Sequence, residues 1–172
     1  MSDAIINKTL DLLKNDIRLS AIKEWYEING LVPGPLSSLS IGCDEEDFEA
    51  DTPSYDRVTT QLKIYVSLDN RHLAADNRKK EEHRLAYGER CIRALAAIVR
   101  HCLSVNYTLD GLADTSFIKK IDYMTADEHK DLHIAVISFE VIFYAPRREI
   151  RNEADRVVVE FLGMDIDVQR KE

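Results

Sequence analysis

Two unusually long stretches of this chain alternate strictly between apolar and polar positions. Successive side chains of a β-strand point to opposite faces of the sheet, so a period of two predicts a strand with one buried face. In the first stretch, one face holds Val58, Thr60, Leu62, Ile64, Val66 and Leu68. In the second, from 131 to 144, one face holds His133, Ala135, Ile137, Phe139, Val141 and Phe143.

The length of these strands constrains what the chain can form. At roughly 3.3 Å per residue, each would reach about 35–45 Å. A compact domain of this size has a radius of gyration of only about 15–16 Å. We therefore expect the strands to project beyond their own core, where they would contact other subunits.

Composition favours one ordinary globular domain, 1–172, with a sizeable hydrophobic core. The chain is 45% hydrophobic and 31% charged, and its net charge is −8. That charge argues against a protein whose main task is to grip nucleic acid, although a surface that DNA passes without binding is compatible with it. No run approaches the roughly 18 apolar residues of a membrane span, and the first residues do not resemble a signal peptide. We expect no membrane partner and folding in a cytoplasm.

The three cysteines agree with a reducing compartment. Cys43, Cys91 and Cys102 are odd in number, widely spaced and without a CxxC pair. We expect free thiols that behave as small hydrophobic residues.

The first thirty residues, 1–30, are predicted to be a helical segment. An apolar stripe runs through it, and a second helical piece, Leu19–Ile28, carries Trp25 and Tyr26 and stops at Asn29-Gly30. The stretch Leu31–Pro35 is a connector, since proline cannot continue a helix or a central strand. The stripe consists of Ile6, Leu10, Leu13 and Ile17.

The remaining elements are a strand, a long helix, a hairpin and a C-terminal extension, 146–172. Residues Leu36–Cys43 read as a strand, and Glu81–Leu103 as an amphipathic helix. A hairpin starts at Thr115, with a polar turn at 125–130, and the extension holds a short strand, Arg156–Leu162. On its first strand Phe117, Ile121 and Tyr123 are predicted to share one face.

Strands interrupted by one helix predict an α+β fold. We expect a mostly antiparallel β-sheet with long projecting strands, one face of which is covered by the N-terminal helix and the long central helix. Gly88 lies in the apolar stripe of that central helix. A helical glycine is about 1 kcal/mol less favourable than alanine, so we expect a packing reason for it, namely a close approach of helix to sheet.

Two charged segments are candidate subunit-interface sites. Asp44, Glu45 and Glu46 begin an acidic run that ends at Glu49. It could bind a cation through Asp44, Glu46 and Glu49, but it lacks the spacing and turn glycine of an EF-hand loop. A solvated loop or an edge strand kept soluble by charge is the favoured interpretation.

The second charged segment is basic and precedes the central helix. Arg78, Lys79 and Lys80 could be a solvated loop, or could pair with the acidic run of a neighbouring subunit. We therefore predict that the two charged segments are candidate parts of a subunit interface.

One cluster of catalytic residue types occurs, at 127–133. His129 and His133 stand near carboxylates, but the metal-hydrolase order requires glutamate where Lys130 stands, and nothing marks a third ligand. A turn rich in solvated side chains is the favoured interpretation. Nucleophile elbows, phosphate loops and dinucleotide fingerprints are also lacking. We therefore predict no catalytic, cofactor-binding or metal-binding residues, and no enzyme.

Several segments carry a resemblance to a known family. An N-terminal helix precedes Ile22-Lys-Glu-Trp25-Tyr26, a proline-rich connector and the strand Leu39-Ser-Ile-Gly-Cys43. The alternating strand Arg57–Leu68, the helix Glu81–Leu103 and a hairpin ending at Tyr144 follow. In order, spacing and length, residues 3–145 resemble the tail terminator, or tail completion, proteins of tailed bacteriophages and prophages.

The resemblance implies a structural protein of virion assembly. In this family an α+β subunit forms a homo-oligomeric ring, usually a hexamer, that caps the tail tube in the host cytoplasm and stays in the virion. Its partners would be the tail tube protein and a head-completion or connector protein, and DNA would pass through the lumen without specific binding. Two alternatives stay open. One is another head-tail connector or baseplate component, and the other is a small metal-dependent hydrolase or ligand-binding regulatory domain.

Overall fold

A computed structural model describes residues 2–32, 37–70, 81–125 and 131–146. Two α-helices are present in these ranges, α1 (Ser2–Lys14) and α2 (Glu81–Val105). The strands are β1 (Glu24–Glu27), β2 (Ser37–Ala50), β3 (Tyr55–Asp69), β4 (Thr115–Thr125) and β5 (Leu132–Pro146). Short 3₁₀ turns lie at Ile17–Leu19 and Leu109–Gly111. None of the helices in these ranges is long and apolar enough to cross a membrane.

The strands form one five-stranded sheet in the order β1-β2-β3-β5-β4. Only the β1–β2 pair is parallel, and the other three pairs are antiparallel. Both helices pack on this sheet and on each other. The prediction of an α+β fold with a mostly antiparallel sheet, covered on one face by these two helices, is confirmed.

The two alternating stretches form the centre of the sheet, as predicted. β3 and β5 pair along their full length of 15 residues each, or roughly 45–50 Å of strand. Leu62 and Ile64 of β3 lie opposite Phe139 and Ile137 of β5, and all four are buried beneath the helices. The faces that periodicity assigned to the core are therefore the faces that the helices cover.

The prediction of a second helical piece at 19–28 is wrong. Trp25 and Tyr26 lie in β1, which pairs with residues 38–41 of β2. The strand results from this contact with a distant segment, which overrides the local helical pattern. Ile17 is also misassigned, because α1 ends at Lys14 and Ile17 is 84% exposed in a separate turn that Asp16 caps.

The prediction that Phe117, Ile121 and Tyr123 share one face is wrong, because β4 contains a bulge. The register of β4 against β5 shifts between Ile118 and Lys120. Phe117 consequently lies opposite Glu140 on the face away from the helices, whereas Ile121 and Tyr123 lie opposite core residues. An extra residue in one strand reverses the alternation beyond it, which period-two counting does not detect.

The close approach predicted at Gly88 is confirmed. Gly88 is buried, and a Cβ atom there would lie 2.2 Å from His133 Nε2. A side chain at this position would displace either the His133 ring or α2.

Several predictions fall outside the described residues. They are the basic segment Arg78, Lys79 and Lys80, most of the polar turn at 125–130, and the C-terminal extension with its strand Arg156–Leu162.

Candidate subunit-interaction surface

One end of the sheet forms a β-hairpin, residues 44–57, that we call the arm. It comprises the second half of β2, the turn at 51–54 and the start of β3. Every residue from 44 to 55 is exposed. The Thr52 side chain closes the turn by accepting a hydrogen bond from the Tyr55 amide, with 3.0 Å between Oγ1 and N. The expectation that long strands project is therefore met here.

The outer edge of the arm carries no neighbouring strand in the described part of the chain. β1 covers β2 only from Ser38 to Ile41. Just beyond, the Asn29 side chain donates a hydrogen bond to the Cys43 carbonyl, with 2.8 Å between Nδ2 and O. From Glu45 to Ala50, β3 is the only strand of the described ranges that pairs with β2. Of the two forms predicted for the acidic run, a solvated loop or an edge strand, the structure shows the strand. Charged side chains at an unpaired edge oppose pairing with other strands.

A bulge at Asp44 decides which way the acidic side chains point. Before it, Cys43 lies opposite Leu62 on the helix-covered face. After it, Glu45 lies opposite Gln61 and Glu46 opposite Thr60. The extra residue therefore turns Glu45, Asp47 and Glu49 to the outer face, and places Glu46 and Phe48 on the other. Without this bulge, Glu45, Asp47 and Glu49 would lie on the same face of β2 as Cys43, which is the face that the helices cover.

The arm is strongly acidic, and salt bridges reach at least two of its carboxylates. Residues 44–57 contain seven carboxylates, and Arg57 is their only basic residue. Arg57 pairs with Glu49 at 3.4 Å and Lys63 pairs with Asp44 at 3.3 Å. Glu49 remains 75% exposed, so this pair contributes little to stability.

Three aromatic side chains accompany these charges. Phe48 is 54% exposed, Tyr55 48% and Tyr144, on the adjoining end of β5, 46%. Exposed aromatic residues next to charge are typical of protein contact surfaces. Because every prediction for this region rested on its charges, these residues were missed, although alternation already placed Tyr144 opposite the core face.

A basic surface lies on the outer side of α2. Arg90, Arg93 and Arg100, which we call the arginine stripe, are all exposed. Within the described residues none of them forms an ion pair with a carboxylate. The Arg93 guanidinium lies over the Tyr123 ring of β4, 4.8 Å from its centroid. The sequence places these arginines off the apolar stripe of the helix, but it does not reveal the contact with Tyr123.

The histidine cluster differs from the predicted solvated turn. His133 is 1% exposed, and its Nε2 atom has no hydrogen-bond partner in the described part of the chain. Burial lowers the pKa of this imidazole below its usual 6.5. Among the described residues no group of three His, Cys, Asp or Glu side chains could hold a metal ion, while His129 lies outside them.

The three cysteines are free thiols, as predicted. Burial raises the pKa of the Cys43 and Cys102 thiols. A thiol with a raised pKa is a poor nucleophile, which agrees with a packing role for both residues.

An apolar cavity of about 460 Å³ lies at the opposite end of the strands from the arm. Its walls include Leu68 of β3 and Tyr87, Leu95 and Ile98 of α2. This cavity is where the ligand-binding alternative would place its ligand.

Comparison with known proteins shows little. No protein-family model matches the chain, and no curated protein matches it. Among solved structures, the chain is similar to a chain of the "virion of native gene transfer agent (GTA) particle", with 14% sequence identity and a TM-score of 0.45. The match covers 83% of this chain and 97% of that chain. A TM-score of this size does not establish a shared fold.

Proposed function

We propose that this chain is a non-enzymatic virion assembly protein of a tailed bacteriophage or prophage, and specifically a tail terminator. Its copies form a ring, a hexamer in the family that the sequence resembles. The ring caps the tail tube in the host cytoplasm, stops further addition of tube protein, and later joins the head-completion or connector protein in the virion. DNA passes through its lumen without specific binding.

The observation that carries this proposal is the exposed, acidic arm. A hairpin whose residues 44 to 55 are all exposed adds little to the core of its own subunit. It presents an edge without a strand neighbour in the described residues, together with exposed Phe48 and Tyr55. Such a surface is typical of a protein that functions through contacts with other chains.

The negative charge of the arm is compatible with the proposed role in two ways. Carboxylates at an unpaired edge prevent indiscriminate strand pairing, so a free subunit stays soluble until its partner is present. An acidic protein also repels DNA phosphates, which favours passage over binding.

The test is a tail-completion assay with purified components. Tube protein is polymerised with and without this chain, and tube length and head joining are measured by negative-stain electron microscopy. We expect short, uniform tubes that become competent to join heads, and a ring at one tube end. Neutralising the arm with Glu45→Gln, Asp47→Asn and Glu49→Gln should abolish capping.

The matched control removes the same charge from exposed positions elsewhere, with Asp11→Asn, Glu27→Gln and Asp114→Asn. This control variant should cap as the wild type does. If tube lengths are the same with and without the protein, the proposed function is wrong. Equal loss of capping in both variants would show that overall charge matters and the arm does not.

A further inference from the structure

We propose that the arginine stripe of α2 is the docking surface for the acidic arm of a second copy of this chain. This inference rests on the proposed function, in which copies assemble into a ring, and it names the two surfaces that meet. Arg90, Arg93 and Arg100 would receive Glu45, Asp47 and Glu49 of the neighbouring copy.

The two surfaces match in length and in number of charges. Glu45, Asp47 and Glu49 occupy alternate positions on the outer face of β2 and so span about 13 Å, at about 3.3 Å per residue. Arg90 and Arg100 are ten residues apart on one helix, which corresponds to about 15 Å at 1.5 Å per residue. Arg93 follows Arg90 by three residues, and Arg100 follows Arg93 by seven. At 3.6 residues per turn, both therefore lie within about 80° of Arg90 around the helix axis. Three carboxylates therefore face three guanidinium groups over the same distance.

The charges favour this contact over the pairing of two arm edges. If two copies paired through the outer edges of β2, their acidic runs would lie side by side. Like charges directly opposite each other destabilise a strand pair. The arm therefore needs a basic acceptor, and the arginine stripe is a basic surface without ion pairs in the described residues.

The stripe is also partly ordered before it binds. The Tyr123 ring holds the Arg93 guanidinium at 4.8 Å from its centroid. A side chain that is already held loses less conformational entropy when it forms an ion pair. Arginine also binds carboxylates in a bidentate manner that lysine does not reproduce.

A second copy fits this stripe better than a nucleic acid does. The chain carries a net charge of −8, which opposes a polyanion, whereas the arm supplies a local complement on the same molecule. The arm is at one end of the sheet and the stripe on the outer side of α2, so the contact joins two different patches. Such a heterologous contact repeats head to tail and closes into a ring when its rotation permits.

The test is a charge-reversal series followed by sedimentation velocity across a range of concentrations. Reversing the stripe with Arg93→Glu and Arg100→Glu, or the arm with Glu45→Lys and Asp47→Lys, should each weaken self-association by about tenfold or more. Combining both pairs of substitutions should recover most of that loss. A matched control for the stripe variant, Lys14→Glu with Lys23→Glu, makes the same charge change elsewhere and should leave association within about threefold of wild type.

Circular dichroism checks that each variant is folded, and disulfide trapping gives a second measurement. In a background without the native cysteines, Asp47→Cys and Ala97→Cys should yield linked oligomers under mild oxidation. Unchanged association in the stripe variant overturns the inference, as does a wild-type chain that stays monomeric and gives no linked oligomer. Loss of short duplex DNA binding in the stripe variant, with association unchanged, would assign the stripe to nucleic acid.

The outcomes separate this inference from the proposed function. A stripe variant that associates and caps tubes like the wild type refutes the docking surface and leaves the capping role intact. A wild type that associates through the stripe but never limits tube length refutes the capping role and leaves the docking surface intact.

Discussion

Gly88 allows α2 to approach β5, and the substitution Gly88→Ala tests how much stability depends on this approach. The added methyl group would lie 2.2 Å from His133 Nε2 and 2.3 Å from His133 Cδ2, whereas ordinary contacts lie at 3.4–4 Å. Ring or helix must therefore move by more than 1 Å. The His133 side chain is 1% exposed, in a central strand, and has little room to yield.

The magnitude follows from two opposing effects. Overpacking a closely packed site costs about 1–3 kcal/mol, and a displacement this large belongs at the upper end. Alanine recovers about 1 kcal/mol of helix propensity. We therefore expect a net loss of about 2 kcal/mol in the free energy of unfolding. For a domain of this size that lowers the melting temperature by about 4–8 °C.

The assay is urea unfolding followed by far-UV circular dichroism, with a double-mutant cycle. In a His133→Ala background the ring is absent, so Gly88→Ala should stabilise the protein by up to about 1 kcal/mol. The coupling between the two positions would then be about 3 kcal/mol. The exposed control Ala97→Gly should cost about 1 kcal/mol and thereby measure propensity alone in the same helix. If Gly88→Ala is as stable as the wild type, or if its effect keeps its sign without the ring, the reasoning is refuted.

Two further predictions concern close approaches and pH. Gly42→Ala should destabilise the protein by about 1–3 kcal/mol in the same unfolding assay, because its Cβ would lie 2.3 Å from the Asn29 backbone nitrogen. Gly30→Ala is the control, because its added Cβ would meet no atom within 4 Å in the part of the chain that the structure describes, and equal stability of the two variants would contradict this contact. Burial lowers the pKa of His133 in the folded state, so the unfolded chain takes up its proton more readily. The stabilisation from the neutral imidazole is therefore present above the unfolded value of about 6.5 and is lost as pH falls below it. Unfolding free energies measured between pH 8 and 5 should decline less in His133→Asn than in the wild type, and identical pH profiles would oppose the prediction.

Predictions from the sequence succeeded where the evidence is local and periodic. The alternation in β3 and β5 identified their buried faces, because every second residue of a strand must face the same layer. The spacing of apolar residues likewise identified α2 and the N-terminal helix. Gly88 was recognisable as a packing residue, since a glycine inside a regular apolar stripe has no local reason to be there.

Predictions failed where a distant segment decides the local structure. Trp25 and Tyr26 lie in a parallel strand only because β2 offers its edge to them. The bulges at Asp44 and before Lys120 likewise depend on the register of a partner strand, and each reverses the faces beyond it. The acidic half of the candidate interface was found from composition alone, whereas the arginine stripe needed the structure to show its contact with Tyr123.

The sequence by itself determined that the chain would form long half-buried strands beside one amphipathic helix, and that its acidic run would remain in solvent. Side-chain periodicity and the cost of burying charge suffice for both conclusions. Only the tertiary structure decided the strand order, the outward turn of Glu45, Asp47 and Glu49, and the separation of arm and stripe onto different surfaces. The physical reason is that backbone hydrogen bonds between strands depend on residues far apart in the chain, whose pairing no local pattern specifies.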